Sequence, residues 1–445
     1  MKFWLQSLII TVFVFFMLWG ANKLTDLKLF AVADTIGQAL KDFELTDYAF
    51  SKLRPDPQPE LRVVLVNIGT LSRREIAQEL MVINQFKPRV VGLDSFFDCE
   101  GGLRDSVNCP QLLDTLGNLM LSSAIRDAGN VVLGEKLLQT DSLAQFDTDV
   151  YDSIEVSDPM FNDYAKATGY ASLPTDATYQ EDVKLCRSLY PRINVNGKDE
   201  LAFSVQIAMV YDSVKTKKFL SRNKYEELIN FRGNIEVREL RLNTIKNDET
   251  AATNFGTMFY VVDYNQVLNG EVLPELFKDN IVIMGYLGDY LGDPSWEDKF
   301  FTPLNKKVAG RANPDMFGPV VHANVIAMIL NEDYIDELAD WQKYAIAFIV
   351  CLLTVALFIT IDKKLPMWFD ALSVIIQLFE LIIIGSLILY AFASWNLKLD
   401  LTLSLAVSAL VGPCYDIYKS LENAVERRLT KRRERVLKPL EEEIR

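Results

Sequence analysis

A single histidine, His322, stands in this chain of 445 residues. Nucleophilic catalysis of the Ser-His-Asp kind would have to run through it. It lies in Val321-His322-Ala323-Asn324, among apolar residues at a helix start and not on an exposed elbow. No catalytic constellation forms around it, so the chain reads as a non-enzyme. The carboxylates offer other chemistry. Asp94 and Asp98 follow a strand-like run, where two carboxylates hold a cation, orient a polar ligand, or brace a loop as Asx turns. Asp289, Asp293, Glu297 and Asp298 crowd a second such loop. Their spacing is not that of an EF-hand, which leaves Ca²⁺ as the sharp reading and a solvated acidic loop as the plain one. Gly285, Gly288 and Gly292 match neither common phosphate-loop pattern, and aspartates among them repel phosphate. The candidate ligand-binding residues are therefore Asp94, Asp98, Asp289 and Asp293. No metal site and no cofactor is assigned. Thr302, Pro303, His322 and Asn324 read as a structural closure in which a last helix caps a sheet.

Cys99 and Cys109 close a short polar loop. In an oxidising compartment they form a disulfide worth roughly 2–3 kcal/mol; otherwise they are two free thiols. They lack CxxC spacing and a nearby histidine, which argues against a metal.

The elements that must position these residues alternate. Arg62-Val-Val-Leu-Val-Asn-Ile68 is a buried-strand run, Ser72-Arg-Arg-Glu75 a capping box, and Arg89-Val-Val-Gly-Leu-Asp94 a second strand. A helix over about 111–127 leads into Val131-Val-Leu133, and Ile281-Val-Ile-Met-Gly285 brings the chain back. The spacing further predicts two edge-type strands near 169–174 and 186–192, a helix over 199–211 and a strand at 228–233. Strands alternating with helices give an α/β domain, a mostly parallel sheet with flanking helices.

Apolar residues cluster at both ends of the chain. Residues 3–19 predict an uncleaved amino-terminal anchor; 344–361, 367–395 and 397–418 predict three further spans. The second component is thus an all-α transmembrane bundle of four helices. The expected division is 1–20 anchor, 21–340 outer domain, 341–418 three helices and 419–445 a basic amphipathic tail. Lys363, Lys364 and the Lys/Arg-rich tail place both termini inside and the large segment outside. The formal charge of −14 argues against nucleic acid. Glu380, near Gln377, falls mid-span and implies either function or a buried partner. Ser404, Ser408 and Gly412 form a small-xxx-small face for close helix contact, within the chain or between copies. Leu421, Val425 and Leu429, interleaved with Arg427 and Arg428, suit a lipid surface, a docked partner, or a solvated tail that only sets topology.

An ordered set of pieces resembles the type-two CHASE domain. They are Val63–Ile68, Val90-Val-Gly-Leu-Asp94, Gly129-Asn-Val-Val-Leu133, Leu228-Ile-Asn-Phe-Arg-Gly233, Val267-Leu-Asn-Gly270, Lys278-Asp-Asn-Ile-Val-Ile-Met-Gly285, Phe301-Thr-Pro303 and Val321-His-Ala-Asn-Val325. The resemblance implies an extracytoplasmic sensory domain of the bacterial inner membrane, with one span before it and usually three after. The chain departs from the family pattern at Thr175-Asp176-Ala177, where the family has an Asp-Gly-x-x-Arg element. Only 27 residues follow Tyr418 (445 − 418), too few for a kinase or cyclase. The expectation is a sensor or receptor that binds a ligand or envelope protein and relays to a separate cytoplasmic effector, with a homo-oligomer open. The alternative is a scaffold subunit of an envelope complex.

Overall fold

The computed structural model describes residues 2–25, 45–54, 58–98, 113–140, 143, 150–175, 184–235, 258–305 and 313–443. Cys99, Cys109 and the departure at Asp176 lie outside the described residues. Two compact units form: Leu40–Ile335, and Met1–Ala39 together with Asp336–Arg445.

In chain order, α1 is Lys2–Thr25. The α/β unit then gives β1 (Glu60–Asn67), α2 (Arg73–Gln85), β2 (Val90–Asp94), α3 (Thr115–Ala128) and β3 (Val131–Leu138). It continues with β4 (Ser153–Glu155), β5 (Ala167–Tyr170), α4 (Phe203–Tyr211), α5 (Ser213–Leu220), β6 (Phe259–Asp263) and β7 (Ile281–Gly285). Two short antiparallel strands, β8 (Lys299–Phe300) and β9 (Met316–Phe317), precede α6 (Gly318–Asn331). The sheet order is β6-β1-β7-β2-β3, and β3 pairs with both β5 and β4. All these pairings are parallel except β3 with β4. The late strand β7 therefore enters between β1 and β2, at the centre of the sheet.

The reasons are local. Val63 to Val66 and Ile281 to Met284 are fully buried, as strands covered on both faces must be. Ser72 and Glu75 form the reciprocal cap that starts α2. Asp114 caps α3, and Gly129 ends it at φ 64°, a conformation glycine adopts without a Cβ penalty. One face of the sheet packs Val64, Val66, Val91 and Met284 against Ile76, Leu80, Leu121 and Ile125 of α2 and α3. Helices α4 and α6 cover the other face. There Gly285 carries no side chain because Pro319 of α6 occupies the space: a Cβ would stand 2.5 Å from the proline Cγ and 3.1 Å from Asp94 Cβ.

Three expectations shift. The helix over 199–211 is a strand, Lys198–Leu201, and then α4, because Lys198–Leu201 pairs with Arg192–Val195 across a turn containing Gly197. The edge-type strand expected near 169–174 lies at Ala167–Tyr170, as β5, which pairs with β3 alone at the margin of the main sheet. Of the 228–233 stretch only Leu228 joins a ladder, in the strand Glu227–Leu228 that pairs with Ser188–Leu189; the remainder is held by side chains described below.

The second unit holds α1, α7 (Asp340–Lys364), α8 (Phe369–Trp395) and α9 (Thr402–Glu443). All four contribute to one apolar cluster, through Val14, Phe358, Phe369 and Val411 among others. Among the described residues three helical stretches are long and apolar enough to cross a membrane: Phe3–Gly20, Asp340–Lys364 and Pro366–Trp395. The expected fourth span is the first part of α9, which Ser404, Ser408, Gly412, Pro413 and Asp416 make less apolar. Residues Leu397–Lys398 are not helical but pair with Asp336–Glu337.

Replacing Gly285 by Ala should cost about 1–3 kcal/mol through overpacking against the proline ring. Gly385→Ala, inside α8 where no neighbour lies within 4 Å, should not lower the unfolding temperature of the detergent-solubilised chain, since the methyl meets nothing and Ala is the better helix former.

Candidate functional site

Register aligns three strand ends. Asn67 of β1 pairs with Gly285 of β7, and Gly285 with Asp94 of β2. This is the carboxyl edge of a parallel sheet, the usual place for a ligand. Asn67 is fully buried and organises the loop beyond it: its Oδ1 accepts from Gly69 N at 3.0 Å and Leu287 N at 2.8 Å, and its Nδ2 donates to Gly288 O at 3.1 Å. Across this edge stands the amino end of α6. His322 is buried, with Nε2 4.0 Å from Asp94 Oδ2 and its ring edge-on to Phe203 at 5.3 Å. Asp298 lies against the start of α6, where its backbone carbonyl accepts from Gly318 N.

The electrostatics follow from burial. The side chain of Asp94 is only 16% exposed; burial and then the neighbouring Asp298 push its pKa up to about 8. Asp298 rises to about 6, again by burial, with Lys184 opposing. Burial lowers His322 to about 4, against a backbone hydrogen bond at Ala171. Near neutral pH the pair is a neutral imidazole facing a protonated acid, not an ion pair. Such an edge accepts or donates hydrogen bonds, and it changes charge between pH 6 and 8. Among the described residues no three His, Cys, Asp or Glu side chains cluster as metal ligands.

The other candidate carboxylates lie apart from this pair in what they do. Asp293 accepts from Ser295 N at 2.9 Å and Asp289 N at 3.0 Å, bonds that hold its pKa down; it shapes its own loop as an Asx turn. Asp289 is exposed and accepts from Tyr286 Oη at 3.2 Å. Asp98 follows Phe97, whose backbone N donates to Ser157 Oγ at 3.1 Å, and its carbonyl accepts from Arg73.

The closure residues fall into two groups. Thr302 donates through N and Oγ1 to Asp315, at 2.9 and 2.6 Å, and Asn305 joins at 3.1 Å. Pro303 is buried beside it. Burial lifts Asp315 to about 7 against those donors. Asn324 faces elsewhere: Oδ1 accepts from Arg232 N at 2.8 Å and Gly233 N at 3.3 Å, while Nδ2 donates to Gly233 O at 2.9 Å. Asn234, which donates to the Asp315 carbonyl, joins the two groups. Nearer the carboxyl end of α6, Asn230 and Arg232 both bind Asp333. The non-ladder stretch 229–234 is thus stapled along α6 by asparagines.

Sequence reading did not single out Asn67, Asn230, Asn234 or Asp315. An asparagine within the β-branched run of β1 was the available signal for Asn67. Asp315 carried none. Two further buried carboxylates also escaped it. Glu79 on α2 is fully buried with both oxygens unpartnered among the described residues, and burial lifts it to about 9. Glu135 of β3 is likewise raised by burial.

In the helical unit, Glu380 accepts from Thr354 Oγ1. Gln377 donates to Ser408 O at 2.7 Å and Ala409 O at 3.1 Å. A Cβ on Gly412 would meet Gln377 Oε1 at 2.6 Å, so the small-residue face of α9 receives polar side chains of α8 within one chain. Ser404 and Ser408 are fully buried.

A parallel α/β unit carrying buried titratable groups at its carboxyl edge stands in one chain with a unit of long apolar helices. The CHASE2 domain model matches residues 12–358. The chain therefore belongs to the CHASE2 family, a family of sensory extracellular domains. No curated protein and no solved structure matches it.

Two measurements follow. Asn324→Ala strands buried N–H and C=O groups of 232–233 and should destabilise by about 1–3 kcal/mol, read by thermal unfolding. An acid kept protonated in the folded state loses stability as pH rises from its unfolded pKa towards its folded one. His322 acts oppositely, but only from pH 6.5 down to about 4. Between pH 6.5 and 8 the Asp94 contribution therefore declines as pH rises, by about 1–2 kcal/mol. Asp94→Asn should flatten the stability–pH slope of the chain in that window. An unchanged slope would remove Asp94 from the account.

Proposed function

We propose that this protein is a membrane-anchored extracytoplasmic sensor of the bacterial inner membrane. The α/β unit binds a ligand or an envelope protein outside, and the apolar helices carry the change to a cytoplasmic partner. The observation behind this reading is α6. It caps the sheet, meets Asp94 and Asp298 at its amino end, and eight residues (332–339) separate its last residue from α7. It is the shortest covalent route from the sheet edge into the apolar helices. In this reading α9 crosses as a fourth span, its polar small-residue face kept from lipid by Gln377 and Glu380, and the tail lies inside, as Lys363, Lys364, Arg427 and Arg428 favour.

Topology is the direct test. In intact cells an impermeant maleimide should label a Val214→Cys variant and spare Leu429→Cys, both exposed positions. The reverse pattern would sink the orientation, and labelling of neither site in lysed cells would void the comparison's premise that both are accessible.

A further inference from the structure

The opposite edge of the sheet holds a different kind of site. A cleft of about 460 Å³ opens there, within the roughly 300–1,000 Å³ typical of small-molecule sites. Its walls include Arg62, Arg89, Tyr211, Asp212, Val214 and Leu330. Arg62 and Arg89 come from the amino ends of β1 and β2, Tyr211 from the end of α4, Val214 from the start of α5 and Leu330 from α6.

The two guanidinium groups are prepared differently. Arg62 is fixed: its Nε and Nη2 donate to Glu60 at 2.7 and 2.6 Å, and Nη2 also to Asn331 Oδ1 at 2.9 Å. Among the described residues Arg89 has no carboxylate partner; its guanidinium lies 5.0 Å from the Tyr211 ring centre. The first N–H groups of α5, on Val214 and Lys215, are already taken by Asp212 at 3.1 Å. Asp212 thus occupies these two donors, and the cations that line the cleft are its two arginines. Lys215 stands behind Leu330 and donates to its carbonyl. The charged residues that line the cleft are two cations, Arg62 and Arg89, and one carboxylate, Asp212. One positive charge is left over, on a chain whose net charge is −14. That surplus suits one negative charge and disfavours two. Tyr211, Val214 and Leu330 supply apolar wall.

We propose that this cleft binds a small organic monocarboxylate with an apolar body, its carboxylate held by Arg89 and its body against Tyr211, Val214 and Leu330. The proposal deepens the sensor reading, on which its relay part rests: the ligand would touch the carboxyl end of the same helix, α6, that meets Asp94 at the other.

The test is titration calorimetry on the full chain in nanodiscs with phenylacetate, isovalerate and octanoate, which carry aromatic, branched and linear bodies. Phenylacetamide serves as the uncharged isostere and inorganic phosphate as the bare anion. At least one carboxylate should saturate, with phenylacetamide and phosphate about tenfold weaker or worse. Arg89→Gln, at an exposed position that makes no internal ion pair, should weaken binding about tenfold. Val214→Asp places a carboxylate on a wall residue that is 77% exposed and should abolish binding with unfolding unchanged. The proposal is overturned if no carboxylate saturates at millimolar concentration, if Arg89→Gln binds as the parent does, or if phosphate binds as tightly as the best carboxylate. Tryptic cleavage after Arg427 in proteoliposomes separates site from relay. Arg89-dependent binding without a change in cleavage rate supports the site and removes the sensor reading.

Discussion

The structure depends on one helix having no solvent face. Every residue from Gly318 to Leu330 is buried. Fully burying a Val, Ile, Leu or Met side chain is worth about 1.5–3 kcal/mol, and α6 buries Val320, Val321, Val325, Ile326, Met328, Ile329 and Leu330. Such a helix tolerates polar residues only where each finds a partner. Asn324 satisfies that demand by gripping the backbone of 232–233. The consequence reaches beyond the helix. A segment with almost no ladder of its own is fixed in place because α6 needs its peptide groups as much as it needs the asparagine.

The same burial sets the chemistry at the sheet edge. A parallel sheet covered on both faces leaves water only at its strand ends, and α6 closes much of that opening. Gly285 lets Pro319 approach, and the approach removes solvent from Asp94, Asp298 and His322 together. An isolated charge so placed would cost several kcal/mol, so the groups shift towards their neutral forms instead. The raised acids and the lowered imidazole are therefore one effect, the close seating of α6, expressed on three side chains. Asp289 and Asp293 escape it because the loop beyond Gly288 carries them back to water.

Much of this fold is legible in the residues. The β-branched runs at 62–68 and 281–285 and the Ser72–Glu75 box state their elements directly, because local sterics and capping act within a few residues. The apolar stretches at 3–19, 344–361 and 367–395 state themselves through length alone. What is not legible depends on distant partners. Lys198–Leu201 is a strand because Arg192–Val195 returns beside it. Residues 229–234 lack a ladder because asparagines from elsewhere replace it. The site divides in the same way. Asp94 is readable from its place at a strand end, and its pairing with His322 is not, because 228 residues separate them (322 − 94). Thr302 and Asn324 fall into two groups, and the residues that join them, Asp315 and Asn234, carry no sequence mark.

A close-packed helix moves as a body or not at all, since sliding one turn would open voids along its whole length. The 14 residues of α6 span roughly 21 Å. Its amino end meets an acid that changes charge near neutrality, and its carboxyl end walls a cleft lined by arginine. Any displacement that alters one end alters the other, because the asparagine staples and the apolar face forbid bending between them. Proton occupancy at Asp94 and occupancy of the cleft would then share one coupling free energy, equal in both directions. On the proposed reading, sensing needs no movable loop at the ligand. It needs only that the helix have two seatings that differ in how much water reaches Asp94.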